Sequence, residues 1–202
     1  MTIDWTTAAV GEVIAEPQRI VVLFPAAGRA VGRAPIEPAA DPLGLRHGTV
    51  DDRARADLVV ALLRVLPPGE AAAQLADLYR YGDDAERRGV LYGLNVAPRV
   101  GPEVASAGVE LVADALRTND PRLVAAALGA FAAAHLDQHG WRHGVLKALF
   151  MDIPLDVVAD LDRRADPELA RMAAALIAER RAAGRTVSDD MTALATTTDP
   201  GA

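Results

Sequence analysis

Asp120-Pro121-Arg122-Leu123-Val124-Ala125-Ala126-Ala127-Leu128-Gly129-Ala130 reads as the opening of a helix made for close packing. The Asp carboxylate can accept orphan amide hydrogens as an N-cap, Pro121 suits the first helical position, and a small-residue apolar face follows. Asp166-Pro167-Glu168-Leu169-Ala170-Arg171-Met172-Ala173-Ala174-Ala175-Leu176 repeats the design, and Asp84-Ala85-Glu86-Arg87-Arg88-Gly89-Val90-Leu91-Tyr92-Gly93-Leu94 is a third copy. The starts lie 36 and 46 residues apart, the range of two-helix repeats. Helices over Pro102 to Leu116 and His139 to Met151 fill the intervals. The expected fold is therefore all-α, a short HEAT-like α-solenoid or an irregular helical bundle.

Outward from the repeats, Leu58, Leu62, Val65 and Leu66 stripe one further helix, which Pro67-Pro68-Gly69 ends. Leu75, Leu78 and Tyr79 stripe the next. Pro35, Pro38, Pro42, Gly44 and Gly48 mark a connector over residues 35–50, which divides an N-terminal helical element (1–34) from the repeat body (51–185). In that element Ile20, Leu23, Phe24, Ala27, Val31 and Ala34 share a helical face, with a kink expected at Pro25. A rival reading makes Arg19 to Phe24 a strand feeding a phosphate loop over Pro25 to Gly32, but no Gly-x-Gly-x-x-Gly follows it. Residues 186–202 are Thr/Asp-rich without an apolar face and are expected to be disordered.

Composition agrees with a helical core. Of the 202 residues 51% are hydrophobic but only 4% aromatic, which favours close helix packing over a sheet sandwich. A net charge of −7 argues against nucleic acid as a partner and against an anionic membrane surface. With no cysteine there is neither a disulfide framework nor a thiolate site. The start lacks a signal-peptide pattern and the run Ile20 to Phe24 is too short to span a bilayer, so a cytoplasmic protein is expected.

Chemistry concentrates in one place. Residues 130–151 hold three of the four histidines, Trp141 and the only lysine, Lys147. If Val124 to Met151 is nearly continuous helix, His135, His139 and Arg142 interrupt an apolar stripe of Leu128, Phe131, Leu146 and Leu149, with Gln138 beside it. Gly140 and Gly144 would admit another backbone or a ligand. His135 and His139, four residues apart, could share a metal ion, whereas His143 lies about 12 Å from His135 along the helix, too far for all three to bind one ion. An enzyme reading uses His139 as proton carrier, Asp137 or Gln138 as its orienter, and Arg142 or Lys147 to hold an anionic group. A structural reading has these groups satisfy one another, with Trp141 in the core and Asp137 as a cap. Tyr79, Tyr81 and Tyr92 are candidate groove residues. His47 and the pairs Arg87/Arg88, Arg163/Arg164 and Arg180/Arg181 read most simply as solvated.

Asp137-Gln138-His139-Gly140-Trp141-Arg142, running into Val145-Leu146-Lys147-Ala148-Leu149-Phe150 and Ile153-Pro154-Leu155, resembles the signature of the EboA family. Arg29-Ala30-Val31-Gly32-Arg33-Ala34-Pro35 is similar to that family's early basic Gly/Ala-Pro stretch. The resemblance implies a bacterial protein encoded beside a prenyltransferase-like membrane protein, a dehydroquinate-synthase-like enzyme and hydrolase-like proteins. It links the chain to making or exporting a small metabolite, lipid-linked ones included, without specifying an activity of its own. The expectation is a cytoplasmic accessory or binding protein without cofactor, presenting Gln138, His139, Trp141, Arg142 and Lys147 to a metabolite or a pathway protein. The alternatives are an enzyme at the same cluster, metal-assisted or not, and a HEAT-like DNA glycosylase, against which the acidic charge argues.

Overall fold

The computed structural model describes residues 4–196, and all of its regular structure is helical, apart from one isolated bridge between Pro35 and Thr49. The helices are α1 (Trp5–Ala15), α2 (Ile20–Val31), α3 (Val50–Val65), α4 (Pro68–Tyr81), α5 (Asp84–Val96), α6 (Pro102–Arg117), α7 (Pro121–Ala127), α8 (Ala130–His135), α9 (Gln138–Phe150), α10 (Leu161–Arg164), α11 (Pro167–Ala182) and α12 (Asp189–Ala195). Packing skips alternate helices: α3 lies on α5 and α5 on α7 in one layer, while α4 lies on α6 in the other. Two adjoining cores result. One joins α1 to α8, the other joins α7, α9, α11 and α12, and Leu116 and Leu136 touch both.

Caps start the repeat helices as their residue types require. Asp120 accepts the amides of Arg122 and Leu123, and Asp166 that of Leu169. In the third copy the cap is Asp83, one residue earlier than the spacing suggested, because Asp83 and Glu86 form a reciprocal capping box at 2.9 and 3.0 Å. The small residues then let layers approach: Gly93 of α5 faces Val59 of α3 so closely that a Cβ would lie 2.4 Å from that side chain.

The N-terminal element is not set apart from the body. Both α1 and α2 pack on α3, and Ile20, Leu23, Phe24 and Ala27 enter the first core, so the strand-and-loop alternative is wrong: residues 20–31 are helical through Pro25. The connector folds back rather than hanging loose. Buried Asp41 accepts the amides of Leu45, Arg46 and His47, and Val50 donates to Ala34 across the bridge. Gly48 takes φ +73° with the Tyr92 ring against it, a place and a conformation that suit only glycine.

Three of the arginines expected in solvent are instead internal ties. Arg88 is 5% exposed and donates to Asp52, Arg180 reaches Thr186 O and Asp152, and Arg164 binds the end of α8. Nor is the segment after residue 186 disordered where it is described. Ser188 caps α12, whose Met191 and Leu194 are buried in the second core; residues 197–202 lie outside the described part.

Candidate functional site

The stretch from Val124 to Met151 is three helices, not one. Asn95 of α5 enters the first break, donating to Ala126 O at 2.8 Å and accepting the Phe131 amide at 3.0 Å, so α7 stops and α8 begins afresh at Ala130. The second break comes at Leu136, which is extended, and Asp137 caps α9 by accepting the Gly140 amide at 2.6 Å. The ladder that placed His135 and His139 on one helix face therefore does not form. His135 ends α8 with its ring 4.5 Å from that of Phe131, whereas the His139 and His143 rings sit 4.4 Å apart on α9. Among the described residues, no three His, Asp or Glu side chains converge as metal ligands would.

The inner half of the polar cluster is a clamp. Arg164 donates to the carbonyls of Ala132, Ala133 and Leu136 at 3.1, 3.0 and 3.0 Å, satisfying the free C-terminal end of α8. It also donates to Gln138 Oε1, and Gln138 in turn donates to Arg164 O and Asp166. Arg142 donates to both oxygens of Asp166. That contact, helped by the Leu169 amide and Gln138, holds the Asp166 carboxyl down at about 2. Trp141 lies beneath, 0% exposed, with Arg164 stacked 4.7 Å above its ring, so it is sealed in the core rather than presented to a groove. Gly144 is likewise filled by protein: a Cβ there would lie 2.8 Å from Leu128. Asp137 and Gln138 are engaged in the cap and the clamp, and neither is hydrogen-bonded to His139.

The outer half is open. His139 and His143 are exposed, and Lys147 follows one turn later on the same side of α9. There α9 and α11 leave an open groove of about 630 Å³, lined from α9 by His143, Leu146, Lys147 and Phe150, and from α11 by Arg171, Met172, Ala175, Leu176 and Glu179. Its floor is apolar and Phe150 is 52% exposed. The Lys147 ammonium donates to the neutral Asn119 amide at 2.9 Å, and among the described residues it has no carboxylate partner. Arg171, in contrast, is held by Glu168 through two hydrogen bonds.

Of the residues read from the sequence as binding groups, then, only Lys147 lines this groove. The α11 contribution escaped sequence reading, although Met172 and Leu176, four apart in the copy that starts at Asp166, are the signal that marks it. Tyr79 is buried and donates to Asp114 at 3.1 Å, Tyr81 is exposed and Tyr92 packs on Gly48, so the three do not form one groove. A second cavity, of about 420 Å³ at the starts of α3, α5 and α7, balances Arg33, Arg88 and Arg122 against Asp83, Asp84 and Asp120. His47, exposed as expected, faces Glu37 at 3.6 Å.

An all-α protein with a mixed-character groove beside a structural clamp is the class these observations define. Among the described residues, no helix is long and apolar enough to cross a membrane. The family model described as metabolite traffic protein EboA matches residues 44–196, and the chain belongs to that family. The match takes in the clamp and the whole groove but begins after residues 29–35, which had also suggested the likeness. No curated protein and no solved structure matches the chain.

Proposed function

We propose that this protein is a non-catalytic metabolite-binding component of a biosynthetic or export pathway, holding its ligand between α9 and α11. The observation that carries this reading is Lys147: a lysine without a carboxylate partner among the described residues, at the wall of an apolar-floored groove whose volume suits a small molecule. Membership of a family described as metabolite traffic proteins supports a metabolite as the occupant. In this reading His139, His143 and Lys147 form the outward face, while Gln138, Trp141 and Arg142 keep that face in place without touching the ligand. The protein acts in the cytoplasm, as an accessory to enzymes that make a secondary metabolite. The alternating layers α3–α5–α7 and α4–α6 also favour a HEAT-like origin for the body, with α9 and α11 as its last, opened pair.

The test is retention of small molecules by the full chain purified from its native host, measured by mass spectrometry against an Ala175→Trp variant. Ala175 is exposed on the groove side of α11, so tryptophan there fills the groove and leaves the core alone. A compound retained by the wild type and lost by the variant is the expected result. No retained compound, or equal retention by a variant with unchanged circular dichroism, would overturn the proposal.

A further inference from the structure

We infer that the groove selects an elongated amphiphile with a single anionic head group, a deeper statement that rests on the metabolite-binding reading above. Helices α9 and α11 run parallel along it. Their starts are tied by Arg142 and Gln138 to Asp166, and their ends by Arg180, which donates to Phe150 O at 3.4 Å and to Asp152 at 2.9 Å. The lining residues therefore fall in order along its length. His143 and Arg171 come toward the starts, Lys147 and Ala175 follow, and Phe150, Leu176 and Glu179 come toward the ends. From Arg171 to Glu179 is eight residues, or about 12 Å of helix rise.

Charge is distributed unevenly along that length. Glu168 neutralises Arg171 and Asp166 neutralises Arg142, which among the described residues leaves the Lys147 ammonium as the uncompensated charge on the α9 wall. Asn119 holds that ammonium by an uncharged amide, so the positive charge remains for a ligand. A carboxylate or phosphate placed there would gain a charge-assisted hydrogen bond beside a low-dielectric floor. The body of the ligand would cover Leu146, Met172, Leu176 and the exposed Phe150 ring, removing apolar area from water. Glu179 at the far end has no ion-pair partner among the described residues, so a second anion on the ligand's tail would be repelled.

Titration calorimetry of the full chain with octanoate, octyl phosphate, octanol and acetate tests this. Octanoate and octyl phosphate are expected to bind, octanol at least tenfold more weakly, and acetate without measurable heat. The comparison of the two acids shows which head group is preferred. Lys147→Met keeps the aliphatic stem and removes the charge; it should weaken octanoate about tenfold, the loss of one hydrogen bond to a charged group, and leave octanol unchanged. Lys147→Arg should restore part of the octanoate affinity, and Ala175→Trp should abolish it. Equal affinity for octanol and octanoate, or no effect of Lys147→Met, overturns the charge selection. Failure of both acids to bind a protein that does retain a native small molecule overturns this inference alone; failure of both together with no retained molecule overturns the metabolite-binding reading as well.

Discussion

Asp166 joins two helices through one carboxylate: its Oδ1 accepts the Leu169 amide at 2.9 Å to cap α11, while Arg142 of α9 donates to both of its oxygens. The cap fixes where α11 begins and the ion pair fixes α9 against it. Together they set the spacing of the groove walls one turn further on.

The Asp166 carboxyl is held at about 2, chiefly by Arg142, against 3.8 in an unperturbed chain. A depressed carboxyl stabilises the fold at pH values above its unfolded value and ceases to as pH falls through its folded one. Asp166→Asn keeps a capping oxygen but loses the charge, so it should cost about 1 to 2 kcal/mol at pH 7. Its deficit relative to the wild type should shrink between pH 4 and pH 2. Urea titrations across that range check this, and a deficit independent of pH would refute it.

Among the described residues Trp141 is the largest fully buried side chain, and its indole nitrogen is buried there without a hydrogen-bond partner. Trp141→Phe removes that unsatisfied donor while keeping a ring under Arg164, and should cost less than about 1.5 kcal/mol. Trp141→Ala leaves a cavity and should cost about 3 to 5 kcal/mol. If Trp141 instead contacts ligand directly, Trp141→Phe would impair octanoate binding more than it impairs folding, which the two measurements separate.

Local signals carried the fold. Asp120-Pro121 and Asp166-Pro167 announce their helices because caps act within four residues, and the class follows from alanine-rich faces that bury without bulk. What escaped was decided by contacts distant in sequence. Asn95 divides α7 from α8 across more than thirty residues, and no period within residues 124–151 records it. The polar cluster was legible as unusual but not as a clamp, because its partners Arg164 and Asp166 belong to a later segment. Lys147 was legible by rarity alone. Its freedom from carboxylates becomes visible only once the helices are placed.

Gly93 tests how far small residues set the layer spacing. On propensity alone, alanine at this position in the last turn of α5 would gain up to about 1 kcal/mol. A Cβ there would, however, lie 2.4 Å from Val59 Cβ, which α3 cannot yield without moving. Gly93→Ala should therefore lose about 1 to 3 kcal/mol, and in a Val59→Gly background, which removes the Cβ and both methyls that the new Cβ would meet, the same change should lose less. Simple additivity of the two changes in denaturant unfolding would show that the helices do not meet at this contact.

The segment after α11 offers the last test, because its composition suggested a loose tail whereas its packing makes it part of the core. Ser188 caps α12 at 3.3 Å from the Met191 amide, Asp190 accepts the Leu155 amide at 2.9 Å, and Arg180 holds Thr186 O at 2.8 Å. Met191 is fully buried against the second core, and Leu194 nearly so. Met191→Ala should accordingly cost about 2 to 5 kcal/mol in urea unfolding, the range for a buried large-to-small change. Asp190→Ala, which orphans one backbone amide near the surface, should cost about 1 kcal/mol. A free-standing tail would leave stability unaltered by either change, and that outcome would detach α12 from the second core and open the C-terminal side of α11 to solvent.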